Sequence, residues 1–88
     1  MMKALNLYLE EYLDYCQYRK HLDPKTLKAY RIDLTQYERS MDNALTFYER
    51  EPVDAYITML HRKYQPKTAK RKVASLKAFF RYLSYREI

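Results

Sequence analysis

Two short segments of this 88-residue chain combine a proline, a cation and a hydroxyl: Pro24-Lys25-Thr26 and Pro66-Lys67-Thr68. Each begins a long stretch with helical apolar spacing. Proline suits the first position of a helix, because its missing amide has no intrahelical partner there. The lysine and threonine then lie beside free amides and the positive end of the helix dipole, which attract phosphate. The spacing predicts two phosphate-binding helix N-termini, and the alternative is a pair of well-capped surface helices.

Positive charge is concentrated in the C-terminal quarter of the chain. The formal net charge is +6, and residues 65–88 hold seven basic groups and one acidic group, which accounts for the whole excess. A localised basic stripe is typical of a surface that binds a polyanion. The alternative is a solvated, lysine-rich helix that binds nothing.

Composition argues against several other classes of site. The chain has no glycine, which disfavours tight hairpins and glycine-rich phosphate loops. Cys16, with only His21 and His61 beside it, is too small a set for a structural zinc site, so we expect no metal and no cofactor. The start resembles no signal peptide, and no apolar run approaches the roughly 18 residues of a membrane span. We therefore expect a cytoplasmic protein with no membrane partner.

Apolar residues recur at three- and four-residue steps along four stretches, which predicts four helices. The first is expected over 4–20, and the second begins at Pro24 after an Asp23 cap. The third is expected from Pro52 and the fourth from Pro66.

The connection between the second and third helices is the least regular part of the chain. Asn43 is expected to end the second helix in a left-handed conformation. Thr46 and Glu49 are expected to cap a short turn within 42–51.

Each predicted helix has one apolar stripe, interpreted as core and not as a cofactor site. The stripes comprise Leu5, Tyr8, Leu9, Tyr12, Leu13 and Cys16; Leu27, Tyr30, Leu34, Tyr37 and Met41; Val53, Tyr56, Ile57, Leu60 and Tyr64; and Ala69, Val73, Leu76, Phe80 and Leu83, with Phe79 at the edge. Short polar connections between the stripes predict an all-α fold, a compact four-helix bundle of two helical hairpins. A pseudo-twofold arrangement of those hairpins would place both Pro-Lys-Thr ends on the same side of the molecule.

Cations occupy the faces of the second and fourth helices that turn away from the predicted core. On the fourth helix they surround Ala74 and Ala78, whose small side chains permit close approach of the helix backbone to a phosphate wall. On the second helix, Ile32 shares the outer face with Lys25 and Lys28. There it either contacts a thymine methyl group or is simply an exposed apolar residue.

Two longer segments resemble the N-terminal core-binding domain of tyrosine recombinases, the phage integrase and Xer group. They are Leu22-Asp23-Pro24-Lys25-Thr26-Leu27-Lys28-Ala29-Tyr30-Arg31-Ile32-Asp33-Leu34 and Thr68-Ala69-Lys70-Arg71-Lys72-Val73-Ala74-Ser75-Leu76-Lys77-Ala78-Phe79-Phe80-Arg81-Tyr82-Leu83. The resemblance covers nearly the whole chain. Three positions depart from the family pattern: Asp23 replaces the usual Ser or Thr cap, His21 stands where Gly is common, and Ala74 replaces a usual Ser.

The resemblance implies a SAM-like fold over residues 1–88 and a function in DNA recombination. The second and fourth helices are expected to enter the major groove, with this domain forming half of a clamp around the duplex. The expected DNA-binding residues are Lys25, Thr26, Lys28, Arg31, Lys67, Thr68, Lys70, Arg71, Ser75 and Lys77. Arg71 is expected to contact a base and Lys70 a phosphate.

The resemblance also places catalysis outside this chain. In the family a C-terminal domain supplies the catalytic Arg, Lys and His residues and the nucleophilic Tyr, so none of the eleven tyrosines here is expected to be catalytic. The expected partners are double-stranded DNA at a core recombination site, the catalytic domain of the parent chain, and recombinase protomers on the same DNA.

Three hypotheses of function follow, of which an enzyme is the weakest, because two scattered histidines and one cysteine in an apolar stripe offer no catalytic cluster. The first is a sequence-specific DNA-binding domain that positions a tyrosine recombinase or integrase on its site. The second is a helical protein-interaction module whose basic face docks an acidic partner. Competition by duplex DNA distinguishes the first from the second.

Overall fold

A computed structural model of the protein describes residues 5–41 and 50–86, which form four α-helices and contain no strand. The helices are α1, Leu5–Asp14, which continues as a π-helix over Tyr15–Arg19; α2, Pro24–Ser40; α3, Arg50–Lys63; and α4, Pro66–Tyr85. The predicted all-α fold is confirmed. Within these ranges no helix combines the length and the hydropathy needed to cross a bilayer.

The N-termini of α2 and α4 lie where their prolines predict them. Asp23 is extended, and its Oδ1 accepts a hydrogen bond from the backbone amide of Thr26 at 2.9 Å. Pro66 begins α4 after an extended Gln65, whose side chain makes no capping bond. An extended residue before proline is expected, because the proline ring disfavours the helical conformation there. The two ends therefore share a sequence pattern but differ in their caps.

The sequence predicts one helix over 4–20, but the α-helical part of α1 ends at Asp14. Its last turn widens, and the backbone amide of Lys20 donates to the carbonyl of Tyr15 at 3.1 Å, the five-residue step of a π-helix. The chain then turns at His21, whose φ of 55° lies in the left-handed region. Glycine adopts that region without steric cost, which accounts for its frequent use at this position in the resembling family.

The third helix is already formed at Arg50, before the Pro52 start that the sequence predicts. Within the described residues α3 spans Arg50–Lys63, so that Pro52 does not occupy its first position. Proline is tolerated throughout the first turn of a helix, since the first amides lack intrahelical partners. The expected terminator Asn43 and the expected turn with Thr46 and Glu49 lie outside the described residues.

The core forms where α4 packs against the other helices. α1 packs on α2 and α3 on α4, as the two predicted hairpins require, and α4 also contacts α2 and α1. Tyr12 packs against Phe79 and Tyr82 with ring centroids 5.6 and 5.1 Å apart. Tyr37 and Tyr56 meet edge to face at 5.1 Å. Such aromatic pairs add about 0.5 to 1.5 kcal/mol each beyond the area they bury.

The predicted buried stripe of α4 is confirmed for Ala69, Leu76 and Leu83 but not for its other positions. Phe79, expected at the edge, is completely buried, whereas Val73 and Phe80 are only partly buried. The helix is rotated because it packs against α1 and α2 as well as α3, which also buries Lys72 and Ser75. Apolar periodicity does not detect this rotation, since two of the buried side chains are polar.

The expectation that both Pro-Lys-Thr ends lie on one side is also wrong. Early in α4, the Lys72 Nζ donates to Oε1 of Gln36, in the second half of α2, at 2.7 Å. Late in α4, Tyr82 packs on Tyr12, which also stacks on Tyr30 in the first half of α2. The two helices therefore run in opposite directions where they meet, and their N-termini lie at opposite ends of the contact.

Candidate nucleic-acid interface

The outer face of α4 carries a continuous stripe of exposed cations. Lys67, Lys70, Lys77 and Arg81 recur at three- and four-residue steps, with an exposed Ala74 among them. At 100° per residue they lie opposite the buried face of the helix. No acidic residue occurs anywhere in α4. The stripe therefore presents positive charge over several helical turns, with no acid on the same helix.

The outer face of α2 carries a second, mixed stripe. Lys25 and Lys28 are exposed, and Ile32 exposes 51% of its surface beside them. The same spacing continues to an exposed Arg39, which was not among the predicted binding residues. The signal that identifies Arg39 is its position seven residues after Ile32, on the same helix face.

The phosphate-binding character of the two helix N-termini differs. At α2 the Asp23 carboxylate already accepts the hydrogen bond of the Thr26 amide and adds a negative charge at the helix end. At α4 the neutral Gln65 makes no capping bond, and Lys67 follows in the first turn. Thr26 and Thr68 are both partly buried. Of the two ends, the one at α4 is better suited to an anion.

Arg31 lies on α2 but is turned toward α1. Its guanidinium donates to both carboxylate oxygens of Glu10, at 2.8 and 3.3 Å. The hydrogen bond to Arg31 lowers the pKa of Glu10, and the same bond raises the pKa of Arg31. Both side chains remain more than half exposed, so the pair contributes little to stability.

Ser75 does not lie on the surface, contrary to the expectation that it contacts DNA. The residue is 2% exposed, and its Oγ donates to Oδ2 of Asp33 at 2.8 Å. The rotation of α4 that buries Phe79 also turns Ser75 inward. We therefore remove Ser75 from the candidate interface.

Arg71 lies at the edge of the α4 stripe and reaches α2. Its Nη1 donates to Oδ2 of Asp33 at 2.9 Å, yet 47% of its side chain is exposed. Asp33 is buried and also accepts a bond from the Lys72 Nζ at 3.1 Å. Sequence reasoning assigned no role to Asp33 or Lys72. The available signal was an acidic residue on α2 between the apolar-stripe positions Tyr30 and Leu34.

Potential metal ligands and the single cysteine are the remaining groups to place. Within 5–41 and 50–86, no three His, Cys, Asp or Glu side chains are grouped to hold a metal ion. Burial raises the pKa of the Cys16 thiol, which disfavours the reactive thiolate. The arrangement is suited to binding: it is a small helical domain with exposed cations along two crossing helices.

Comparison with known protein families identifies the family to which this small helical domain belongs. Residues 9–87 match the family model described as phage integrase, N-terminal SAM-like domain. The chain therefore belongs to that family.

Full-length relatives show the protein type in which this domain occurs. The chain is 45% identical to a tyrosine recombinase of Agathobacter rectalis over 99% of its length, covering 29% of that protein. It is 37% identical to the tyrosine recombinase XerC of Chlorobaculum parvum over 86% of its length, covering 26% of that protein. It thus spans less than a third of the recombinases it matches. No solved structure shows a significant match.

Proposed function

We propose that this chain is the DNA-binding domain of a tyrosine recombinase, and that it positions the enzyme on a core recombination site without catalysing a reaction itself. The observation that carries the proposal is the α4 stripe: Lys67, Lys70, Lys77 and Arg81 are exposed on one face of a helix that contains no acid. A DNA duplex is a dense polyanion with condensed counterions. A cationic helix face that neutralises the phosphates releases those counterions, which favours binding.

The role of each residue in the proposed interface follows from the exposure and length of its side chain. The lysines of α4 bind phosphates as point charges, and the small Ala74 allows the helix to approach the backbone. Lys25, Lys28 and Arg39 extend the contact along α2. Arg71 binds a base edge, since a guanidinium pairs bidentately with guanine.

The recombination chemistry belongs to the remainder of the parent protein. The relatives named tyrosine recombinase are more than three times as long as this chain, which leaves ample length for a catalytic domain. We propose as partners duplex DNA, that catalytic domain and further recombinase protomers on the same site. We also propose a cytoplasmic location, because the duplex DNA that would be its partner lies there in the bacteria of the named relatives.

A titration of labelled duplex monitored by fluorescence anisotropy tests the proposal. Without the other half of a clamp, we expect a Kd near the non-specific range, roughly 10⁻⁴ to 10⁻⁶ M at physiological salt, with strong weakening as salt rises. Amide chemical shifts should change along the outer faces of α2 and α4 and not on Glu10 to Gln17. The absence of any shift on adding duplex would contradict the proposal.

The same titration distinguishes an acidic protein as the partner. Poly-glutamate of matched charge serves as the competitor for the labelled duplex. If the domain is a DNA-binding module, unlabelled duplex displaces the label at far lower concentration than poly-glutamate. Equal or better displacement by poly-glutamate would favour the protein-interaction alternative.

A further inference from the structure

The Arg71 side chain is bonded to a buried acid and is also exposed to solvent. One guanidinium nitrogen, Nη1, is held 2.9 Å from Oδ2 of Asp33, while 47% of the side chain faces solvent. Within the described residues the guanidinium makes no second hydrogen bond. One edge of Arg71 is therefore anchored and the other edge is presented at the surface.

The anchor is itself fixed by burial and by further bonds. The side chain of Asp33 is 1% exposed. Oδ1 accepts from Lys72 and Oδ2 accepts from Ser75, at 3.1 and 2.8 Å. Lys72 is held in turn by Oε1 of Gln36 at 2.7 Å. Because each of these partners is buried or partly buried, the carboxylate has little freedom to move.

We infer that Asp33 is a positioning residue for DNA recognition: it orients the Arg71 guanidinium so that its free donors point outward before DNA arrives. This inference rests on the proposed function. An arginine held in its binding geometry loses less conformational freedom on association than one that moves freely. The inference deepens the proposed function by naming a buried acid that contributes to affinity without touching the nucleic acid.

Electrostatics alone makes the opposite prediction, which gives a sharp test. Asp33→Asn removes a negative charge from a DNA-binding domain, so long-range attraction would tighten binding. Loss of the anchor should instead weaken binding roughly two- to tenfold, the cost of immobilising one flexible side chain. Asp54→Asn is the matched control, because Asp54 is an exposed acid on α3 and the chemical change is the same.

The experiment measures duplex affinity for the wild type, Asp33→Asn, Arg71→Ala, the double variant and Asp54→Asn. We expect Asp33→Asn to weaken binding in the wild type, and to leave it unchanged or slightly tighter when Arg71 is already Ala. Asp54→Asn should leave binding unchanged or slightly tighter. If Asp33→Asn binds as tightly as Asp54→Asn, the positioning role is refuted and the DNA-binding function stands. If the wild type binds no duplex, the proposed function itself fails.

A second measurement needs no variant and therefore does not depend on whether Asp33→Asn folds. Side-chain nitrogen NMR on the free wild-type protein compares rotation of the Arg71 guanidinium with that of Arg81, an exposed arginine on the same helix. We expect slow rotation and resolved Nη signals for Arg71 and averaged signals for Arg81. Equally fast rotation of both would show that Asp33 does not hold Arg71, whatever the affinity for DNA.

Discussion

The Nζ of Lys72 lies 3.1 Å from Oδ1 of Asp33, and the two side chains are only 8% and 1% exposed. The ammonium also lies 5.1 Å from the centroid of the Tyr64 ring, and Tyr64 in turn accepts a hydrogen bond from Gln36. This buried pair joins α2 to α4 beneath the proposed interface. It therefore connects the stability of the domain with the geometry of its surface.

Lys72→Met should destabilise the domain by about 3 kcal/mol, since it leaves part of a buried carboxylate uncompensated while keeping the aliphatic volume. Arg71→Ala should cost less, because Arg71 is half exposed and Lys72 and Ser75 still satisfy Asp33. Urea denaturation monitored by circular dichroism measures both. The reverse order would show that Arg71, not Lys72, is the main partner of Asp33.

Asp23→Ala should lower the free energy of unfolding by about 1 kcal/mol, the usual cost of losing an N-cap. The cause is the lost bond from the Thr26 amide to the Asp23 carboxylate. Gln65→Ala, at the equivalent position before α4, is the control, because its side chain makes no capping bond. Equal losses for the two variants would contradict this explanation.

His21→Gly should stabilise the protein by about 0.5 to 1 kcal/mol. Glycine removes the side-chain strain of a left-handed residue, and its greater unfolded-state entropy offsets only part of that gain. His21→Val should destabilise it, because a β-branched residue is disfavoured at φ 55°. Thermal denaturation of the two variants measures both effects, and a His21→Gly variant less stable than His21→Val would refute them.

Stability should fall as pH rises above about 10. Burial raises the pKa of Tyr56 to about 12, and burial likewise raises the pKa values of Tyr12 and Tyr37. Between pH 10 and 12 the unfolded chain loses these phenolic protons while the folded state retains them. The contribution of each group is therefore complete below pH 10 and declines by on the order of 1 kcal/mol per pH unit above it.

Tyr56→Phe should reduce this alkaline loss and leave stability at neutral pH unchanged or higher. Within the described part of the chain, the buried Tyr56 hydroxyl has no hydrogen-bond partner, so its removal forfeits no bond. Tyr18→Phe is the control, because Tyr18 is 66% exposed. Denaturant titrations at pH 7 and pH 11 make the comparison. A large loss at pH 7 for Tyr56→Phe would reveal a partner for that hydroxyl.

Lys70→Ala should weaken binding to all duplexes alike and lower the slope of log affinity against log salt by about one unit. The reason is the loss of one phosphate contact from the α4 stripe. Arg62→Ala, which removes an exposed cation from α3, should leave the slope unchanged. Similar changes for both variants would indicate a diffuse basic surface in place of a defined interface.

The sequence by itself determined the helical class and both proline-initiated helices. Pro24 and Pro66 fix φ and lack an amide, so their effect is local and independent of the rest of the chain. The apolar stripes of α1 and α2 were also predictable from the sequence, because buried residues such as Leu9, Tyr12 and Leu34 follow the period of the helix. The basic character of α4 follows directly from the number of lysine and arginine residues in its sequence.

Only the tertiary structure decided which face of α4 is buried and how α4 lies against α2. Helical periodicity identifies apolar positions, but it carries no information on polar residues that pair across helices distant in sequence. Asp and Lys are usually surface residues, and burial of Asp33 and Lys72 is tolerated because each is paired with the other and bonded to further polar groups. In the orientation that α4 adopts against α1 and α2, Phe79 faces inward, Ser75 is buried and Arg71 lies between the core and the solvent.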